Sequence, residues 1–491
     1  MKVSAIACLL AAVAGAVLAC GESRLVPDDD LPVTVPEEDA APDPSTPDAG
    51  RGARTCSEPI EPVSCPNLEP APTTKTAIAS FVKESAIPLR CGEGADAVWD
   101  VRPLVELYGS QKIFMMGEVH GTNEIGIMSS ILLEELATRN QVNVLAFELP
   151  MEMGERLTSW VATGEDEAVD QWLQQLAPNM FGRILTVTAR ELAKKGIPIR
   201  VVAVDYAYMP QTPIAAIREV ATKLTTQADT VLATLPSGPP TTSEANAYFD
   251  HIMTSKSAIC AELTSADCDR LNAMTHALWV STFLEAGLQD ELWFARREEV
   301  IYYNMKSAMR SPTDRMFLHM GAAHTNKHEF SAGSRMTHEY ELTKDKVFSV
   351  APAFGNGSVI WYGEPQALPG EPTTLTSALS HAPPDPLFVS TTRPSTKCEE
   401  NAFGLEPELR SSRGTRAETY DGYIHYGKLT SEKSPDDTTF ERDSEVGKEG
   451  APTSSTALAL SGARFRELRV RVEAKERAAL MARVARTSAM R

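Results

Sequence analysis

The feature that most constrains the fold is a short apolar run followed by an amphipathic helical pattern and a second apolar run. Residues 112–116 (KIFMM) form an apolar run bounded by turn residues, which predicts a buried strand. Residues 123–140 (NEIGIMSSILLEELATRN) place their apolar residues on one helical face. Residues 142–150 (VNVLAFELP) predict a second buried strand, ended by Pro150. A strand–helix–strand unit of this kind is typical of a parallel sheet covered on both faces.

Further strands and one long helical region follow in the chain. Residues 197–206 (IPIRVVAVDY) predict a third strand and residues 314–324 (DRMFLHMGAAH) a fourth, with helical periodicity over about 211–310 between them. Three later segments read as strands or sheet edges: DKVFSV, GSVIWYG and YDGYIHYG. We therefore predict an α/β fold over residues 76–435, with a central, largely parallel sheet flanked by helices and a long helical insertion.

The first twenty residues predict a secretory signal rather than part of the fold. Lys2 is followed by an apolar run of small residues that ends at Cys20. The ending Val-Leu-Ala-Cys resembles a bacterial lipobox, whose Cys becomes the lipidated first residue; simple cleavage after Ala19 is the alternative. Several acyl chains on Cys20 would anchor the chain stably, so we expect a cell-envelope protein on the periplasmic or outer surface, with the membrane as a partner.

The remaining termini are polar and unlike a folded domain. Residues 21–75 are rich in Pro, Asp and Glu, which predicts a disordered acidic tether. Residues 436–461 read as a linker. Residues 462–491 are basic and follow an Ala/Val/Leu helical pattern, which predicts an amphipathic helix or tail. That segment could lie on anionic lipid, stay solvated, or dock on an acidic protein surface.

The net charge bears on the class of binding partner, and the cysteines indicate the cellular compartment. A formal net charge of −19 argues against a nucleic-acid partner, because phosphate binding requires a basic face. Without Cys8 and Cys20, six cysteines remain and none forms a CxxC pair, so disulfides in an oxidising compartment are the better interpretation. Six cysteines allow 15 connectivities, and sequence does not choose among them. The pairings taken as hypotheses are Cys56–Cys65, Cys260–Cys268 and Cys91–Cys398.

Polar, chemically able side chains follow each of the four predicted strands. Glu118 and His120 end the first strand, Glu148 the second, Asp205 the third and His324 the fourth. In an open parallel sheet, ligands bind outside the carboxyl ends of the strands. The sequence therefore predicts a site at this edge, with His319 close to it.

Two chemistries fit these side chains, and their spacing does not separate them. The set Glu118, His120, Glu148 and His324 offers the nitrogen and oxygen ligands of a divalent metal. The same groups can run acid–base hydrolysis, in which a histidine takes a proton from water, a carboxylate orients its ring, and a second His or an Arg stabilises the oxyanion. The chain has no GxSxG, HExxH, P-loop or GxGxxG motif, so those enzyme classes are not indicated.

Five motifs together resemble one known superfamily. They are "GEVHGTNE", "LAFELP", "VVAVDY", "RREEVIYYN" and "FLHMGAAHTNK". In this order they resemble the superfamily of erythromycin esterases, ChaN-like haem-uptake lipoproteins and Tiki-type peptidases, over about residues 78–435. The likeness is closest overall to the erythromycin esterase side, which keeps the His-Gly-Thr-x-Glu run and an Arg-to-Asn helix motif, here Arg297 and Asn304.

The resemblance implies roles for these residues. His120 would be the general base, Glu118 and Glu148 would orient it, and Arg297 and His324 would surround the substrate. Four further residues would bind substrate or support the site: Glu124, Asp205, Asn304 and His319.

Two positions depart from the esterase branch. Only Val119 separates Glu118 from His120, where two residues are usual, and Gly321 stands where a His is usual. Both look more like ChaN and Tiki sequences, which imply haem or iron binding and metal-dependent peptide cleavage. The leading hypothesis is thus an exported lipoprotein hydrolase with a small-molecule or peptide substrate; the alternatives are a haem or iron carrier and a metal-dependent peptidase. Its cofactor would accordingly be none, a divalent metal or haem.

Overall fold

A computed structural model describes most of the predicted domain. The described residues are 56, 86–92, 98–176, 179–286, 291–327, 331–361, 364–369, 386–390 and 420–431. The predicted signal with Cys20, the linker and the basic tail lie outside these residues, as does the tether apart from residue 56. The domain boundaries at 76 and 435 therefore stay predictions.

Parallel strands form the centre of the molecule. The strands are β1 (Ile87–Pro88), β2 (Arg90–Cys91), β3 (Val98–Trp99), β4 (Ile113–Glu118), β5 (Val144–Pro150), β6 (Arg200–Asp205), β7 (Met316–Gly321), β8 (Val347–Trp361), β9 (Glu364–Pro369), β10 (Leu387–Ser390) and β11 (Gly422–Leu429). The main sheet has the order β1-β10-β11-β8-β4-β7-β5-β6, with β9 paired to β8, while β2 and β3 form a separate pair. From β11 to β6 every neighbouring pair is parallel, and β1, β9 and β10 add antiparallel edges.

Helices cover both faces of this sheet. They are α1 (Arg102–Tyr108), α2 (Asn123–Thr138), α3 (Gly154–Thr163), α4 (Glu167–Gln175), α5 (Phe181–Lys194), α6 (Gln211–Ala221), α7 (Ala228–Leu232), α8 (Thr242–Cys260), α9 (Ser265–Ala286), α10 (Glu291–Ala308), α11 (Ala322–Thr325) and α12 (Ala332–His338). Phe114 and Met116 of β4 pack into one core with α2 and α5, while Ile113 and Met115 pack into a second core with α10 and α12. This alternation buries β4 on both faces, which explains its uninterrupted apolar sequence. The predicted α/β fold is confirmed.

The helical insertion lies between β6 and β7. Helices α6 to α10 span Gln211–Ala308, close to the predicted 211–310, and α6, α8 and α9 share a core of their own. Helix α10 then returns to the sheet, where Ile301 and Met305 pack against its strands. Among the described helices, none combines the length and apolar character needed to cross a bilayer.

One later strand is longer than the sequence indicates. DKVFSV and GSVIWYG read as separate segments, but Val347–Trp361 is a single strand. Its first part pairs with β4, and its last part, from Asn356, pairs with β9. Pairing with β4, β11 and β9 keeps the chain extended between the two segments, through Gly355 and Gly357.

Two disulfides are present among the described residues. Cys260–Cys268 is confirmed and joins the end of α8 to the start of α9. The pairings Cys56–Cys65 and Cys91–Cys398 are wrong, because Cys56 bonds Cys91 across a Cα separation of 4.9 Å. Proximity in sequence does not decide such pairings; the backbone must bring two Cα atoms within bonding range. Cys65 and Cys398 lie outside the described residues.

Candidate active site

Four adjacent parallel strands deliver the predicted side chains to one edge of the sheet. Glu118 ends β4, Glu148 lies near the end of β5, and Asp205 ends β6. His324 lies in the short helix that follows β7. All four side chains are buried, none more than 7% exposed. The fold therefore brings the predicted acids and histidines together at the carboxyl ends of the strands.

Glu118 bridges two imidazoles. Its Oε1 lies 2.6 Å from His120 Nδ1, and its Oε2 lies 2.7 Å from His319 Nε2. Burial raises the pKa of Glu118, but the adjacent His319 and His120 rings outweigh it and hold that pKa at about 2. Glu118 is thus a carboxylate that hydrogen-bonds His319 and pairs with His120, whose Nδ1 lies next to Oε1.

Arg297 joins the remaining acids. Its Nε and Nη2 each lie 2.9 Å from one oxygen of Asp205, and Nη2 also bonds Glu148 Oε1. A fork of this kind matches the planar guanidinium to a carboxylate. Burial raises the pKa of Glu148, but His324 and Arg297 outweigh it and hold the pKa well below its usual range. Burial and the charge of Glu148 raise the pKa of Asp205 against the opposing effect of Arg297.

His324 is held on both ring nitrogens. Its Nε2 lies 3.1 Å from Arg297 Nη1, and its Nδ1 contacts Glu298 Oε1. The other oxygen of Glu298 accepts from the backbone N–H of Ala332, at the start of α12. The ring of Phe294 stacks on His324, with centroids 5.4 Å apart. His324 therefore faces the site as a fixed neighbour of Arg297.

Two other predicted residues have supporting contacts. Asn304 donates to the carbonyl oxygens of Val204 and Asp205, at 3.0 and 3.3 Å, and so holds the end of β6 beneath Arg297. Among the described residues, Glu124 bonds Thr430 rather than a member of the acidic cluster. Its carboxylate accepts from Thr430, after β11, which ties the start of α2 to the sheet.

Position 321 is a glycine because the side chains of His120 and Glu148 lie close to its backbone. A Cβ there would lie 3.2 Å from His120 Nε2 and 3.4 Å from Glu148 Oε2. The Gly321 N–H also donates to Glu148 Oε2 at 2.8 Å. The position where the esterase branch has a histidine therefore has no room for one here.

Sequence reasoning missed four side chains in or around the site: Ser129, Phe181, Phe294 and Glu298. Glu298 could have been found, since it follows Arg297 directly in "RREEV". Ser129 and Phe181 carry no such signal, because their helices reach the site only through tertiary packing. Phe181 stacks on His319 with centroids 5.1 Å apart.

A divalent metal could be held by three of the residues. One ligand atom each from Glu118, His120 and Glu148 lies within 4.8 Å of the others. His324 is not in this group, because its nitrogens contact Arg297 and Glu298. Glu118, Glu148, Asp205 and Glu298 are four buried acids, and their side-chain partners among the described residues include Arg297 and the histidines His120, His319 and His324. Carboxylate oxygen and imidazole nitrogen are ordinary ligands of divalent metals, so the donor atoms of Glu118, His120 and Glu148 suit such an ion.

Comparisons with known proteins show the fold. No protein-family model matches the sequence, and no curated protein matches it. A Bacillus cereus protein is 14% identical with a TM-score of 0.52, covering 74% of this chain and 100% of that one. A succinoglycan biosynthesis protein is 13% identical with a TM-score of 0.52, covering 73% and 98%. A mutant of the erythromycin esterase EreC in its open conformation is 11% identical with a TM-score of 0.51, covering 68% and 96%.

These likenesses establish a shared fold at low identity. The expected resemblance to erythromycin esterases is thus confirmed for the fold. A match to the haem-binding ChaN of Campylobacter jejuni has a TM-score of 0.25, which is too low to compare the two folds.

Proposed function

We propose that this chain is a hydrolase in which His120 activates a water molecule. The observation that carries the proposal is the 2.6 Å contact between Glu118 Oε1 and His120 Nδ1. A carboxylate on Nδ1 fixes the tautomer in which Nδ1 carries the proton and Nε2 has the lone pair. Nε2 lies 3.9 Å from Glu148 Oε2, beyond hydrogen-bond distance, so Glu148 does not occupy it directly.

Water, the ester and His120 account for every bond and proton in the proposed hydrolysis. A water oxygen attacks the substrate carbonyl carbon while His120 Nε2 takes one of its protons. The carbonyl oxygen gains negative charge, which the Arg297 guanidinium stabilises, while His324 holds that guanidinium in place. Collapse of this intermediate breaks the bond to the leaving oxygen, which takes the proton back from His120. The products are a carboxylic acid and an alcohol.

Esters are the substrate class to test first. The chain shares the fold of EreC, an erythromycin esterase, and its own site joins a Glu–His pair to an arginine. We expect His120→Ala to lower kcat towards model esters by about a thousandfold, within the range of general-base catalysis. The matched control is His251→Ala, a histidine of α8 that bonds the Thr230 carbonyl within the insertion. Unchanged turnover in both His120→Ala and Glu118→Ala would overturn the mechanism.

A metal-dependent hydrolase is the second candidate, favoured by the ligand atoms of Glu118, His120 and Glu148, which lie within 4.8 Å of one another. Glu118, His120 and Glu148 would hold the ion, and a bound divalent ion would make water a nucleophile near neutral pH. Elemental analysis of protein without residues 1–20, produced with its disulfides formed, separates the two candidates. About one divalent metal per chain, lost in Glu148→Gln, would support the metal-dependent peptidase; metal-free active protein supports His120 acting alone. An absorption spectrum with a Soret band would favour a haem carrier instead.

We also propose that the protein is exported and anchored in the cell envelope through Cys20. The support is the lipobox-like sequence before Cys20 together with two disulfides, which are typical of oxidising compartments. The substrate would then be a small molecule or peptide met outside the cytoplasm.

A further inference from the structure

We propose that Ser129 is a positioning residue: through His319 it holds Glu118 in the rotamer that orients His120. The inference rests on the proposed function, because it assigns a role in the same catalytic pair. Neither Ser129 nor His319 contacts the substrate in this proposal. They form a buried support, here called the Ser129–His319 support, behind the Glu118 carboxylate.

The support is a continuous chain of contacts from a helix to the catalytic pair. Ser129 Oγ, on α2, lies 2.9 Å from His319 Nδ1, on β7. His319 Nε2 lies 2.7 Å from Glu118 Oε2, and Glu118 Oε1 reaches His120 at 2.6 Å. Each ring nitrogen of His319 therefore has a hydrogen-bond partner, and each oxygen of Glu118 contacts a ring nitrogen. Between a carboxylate oxygen and a ring nitrogen the N–H is the donor, so His319 Nε2 donates to Glu118 Oε2.

The bond made by Ser129 is unlike that of comparable serines in this protein. A helical serine commonly bonds a carbonyl of its own preceding turn. Ser281 on α9 does so, since its hydroxyl donates to the Leu278 carbonyl at 2.9 Å. Ser129 instead bonds across to the neighbouring strand, at a position with no exposed surface. A hydroxyl placed on that face supports the imidazole of His319 rather than its own helix.

The plane of the His319 ring is fixed as well. Phe181, the first residue of α5, stacks on it with an interplanar angle of 28° and centroids 5.1 Å apart. Stacking restrains the tilt of the ring, and the Ser129 hydroxyl restrains its rotation within that plane. With both restraints, Nε2 stays directed at Glu118 Oε2, so one oxygen of the carboxylate is held while the other contacts His120.

Removing the hydroxyl should loosen the catalytic pair without removing it. At metal sites, mutating a residue that orients a ligating side chain typically costs about 10- to 100-fold in activity, and we expect an effect at the low end of that range. We expect Ser129→Ala to lower kcat about tenfold with little change in KM, because no substrate contact is lost. Ser129→Cys fills the site with a slightly larger thiol that is only a weak donor, so a similar loss of kcat in Ser129→Cys and Ser129→Ala would point to the hydrogen bond rather than to a cavity. The control is Ser281→Ala, a buried serine that bonds its own helix, whose kcat should match the wild type.

A measurement independent of activity tests the same support. In the full chain with 15N-labelled histidine, the His319 signals can be assigned by their loss in His319→Asn. We expect Ser129→Ala and Ser129→Cys to shift the His319 Nδ1 signal, and Ser281→Ala to leave it in place.

The outcomes separate this proposal from the proposed function. An unchanged His319 Nδ1 signal in Ser129→Ala would overturn the Ser129–His319 support, whether or not the protein hydrolyses esters. A shifted signal with unchanged kcat in an active enzyme would overturn the positioning role. If the wild type hydrolyses no ester tested, the proposed function fails, while a shifted signal still supports the anchoring of His319.

Discussion

Arg297 carries a guanidinium into a position that is only 1% exposed, among acids from two strands. The side chain can be buried because Asp205 and Glu148 bond it and Asn304 holds the end of the strand that carries Asp205. At the scale of the residue, the site is therefore stabilised by paired charges rather than by apolar packing, and its stability depends on geometry that a single arginine supplies.

Replacing Arg297 by lysine should make the protein less stable and abolish its activity. Lysine keeps the charge but cannot bond both oxygens of Asp205 and also reach Glu148. We expect the free energy of unfolding to fall by about 3 kcal/mol, as for other broken buried pairs, measured by urea denaturation. The control is Arg270→Lys, whose pair with Glu219 is exposed and should change stability by less than about 1 kcal/mol. Equal effects of the two substitutions would contradict this account.

Adding one methyl group at Gly321 should impair catalysis more than folding. The new Cβ would press on His120 Nε2 and Glu148 Oε2, so the ring must move by a few tenths of an ångström. We expect kcat for ester hydrolysis to fall about tenfold, since small misplacements of a reacting group are costly. Gly238→Ala is the control, because its Cβ would meet nothing within 4 Å. Full activity in Gly321→Ala would show that His120 Nε2 does not need its present position.

At the scale of elements, the sheet positions the acids and His324, and the helical insertion supplies Arg297. Four parallel strands bring Glu118, Glu148, Asp205 and His324 together, but Arg297 comes from α10, the last helix of the insertion. The insertion also contains a buried histidine, His276 on α9, which is 8% exposed and packs edge-on against Phe249. Burial, followed by the charges of Arg296, Lys256 and Arg335, lowers the pKa of His276 to about 3.

His276 should make stability depend on pH in the acidic range. Its pKa is lower in the folded state than in the unfolded state, so between about 6.5 and 3 the unfolded chain binds the extra proton. Stability attributable to this group is therefore complete above about pH 6.5 and is lost as pH falls. We expect His276→Gln to reduce the loss between pH 8 and pH 5 by about 2 kcal/mol in urea denaturation. The control is the exposed His338→Gln; equal pH dependence in wild type and His276→Gln would refute the assignment.

At the scale of the whole molecule, the site belongs to a domain whose chain continues well beyond it on both sides. The predicted signal, tether, linker and basic tail lie outside the described residues, so their roles rest on sequence. Within the described part, the disulfide Cys56–Cys91 joins residue 56 to the β2–β3 pair. The region predicted as tether is thus covalently connected to the domain.

We expect the whole chain to be attached to a membrane through lipid on Cys20. When the full chain is made in a bacterium that processes lipoproteins, we expect mass spectrometry to show acyl chains on Cys20 and fractionation to find the protein with membranes. Cys20→Ser should remove both properties, because a hydroxyl does not replace the modified thiol. Membrane association that persists in Cys20→Ser would point to another anchor, with the basic segment 462–491 as the next region to delete.

The sequence by itself determined the four strands β4, β5, β6 and β7, their parallel arrangement, and the acids and histidines at their ends. It could do so because local patterns carry this information: apolar runs such as 112–116 must be buried, and parallel strands share one carboxyl edge. It also indicated Arg297 and Asn304, through their motif.

Only the tertiary structure decided how these residues are connected. It showed that His319 and His120 share Glu118, that His324 belongs with Arg297 and Glu298, and that Cys56 pairs with Cys91. Such contacts depend on distances between elements far apart in the chain, and one sequence does not contain those distances. The support from Ser129 is of the same kind, because nothing in α2 alone reveals which strand its hydroxyl will face.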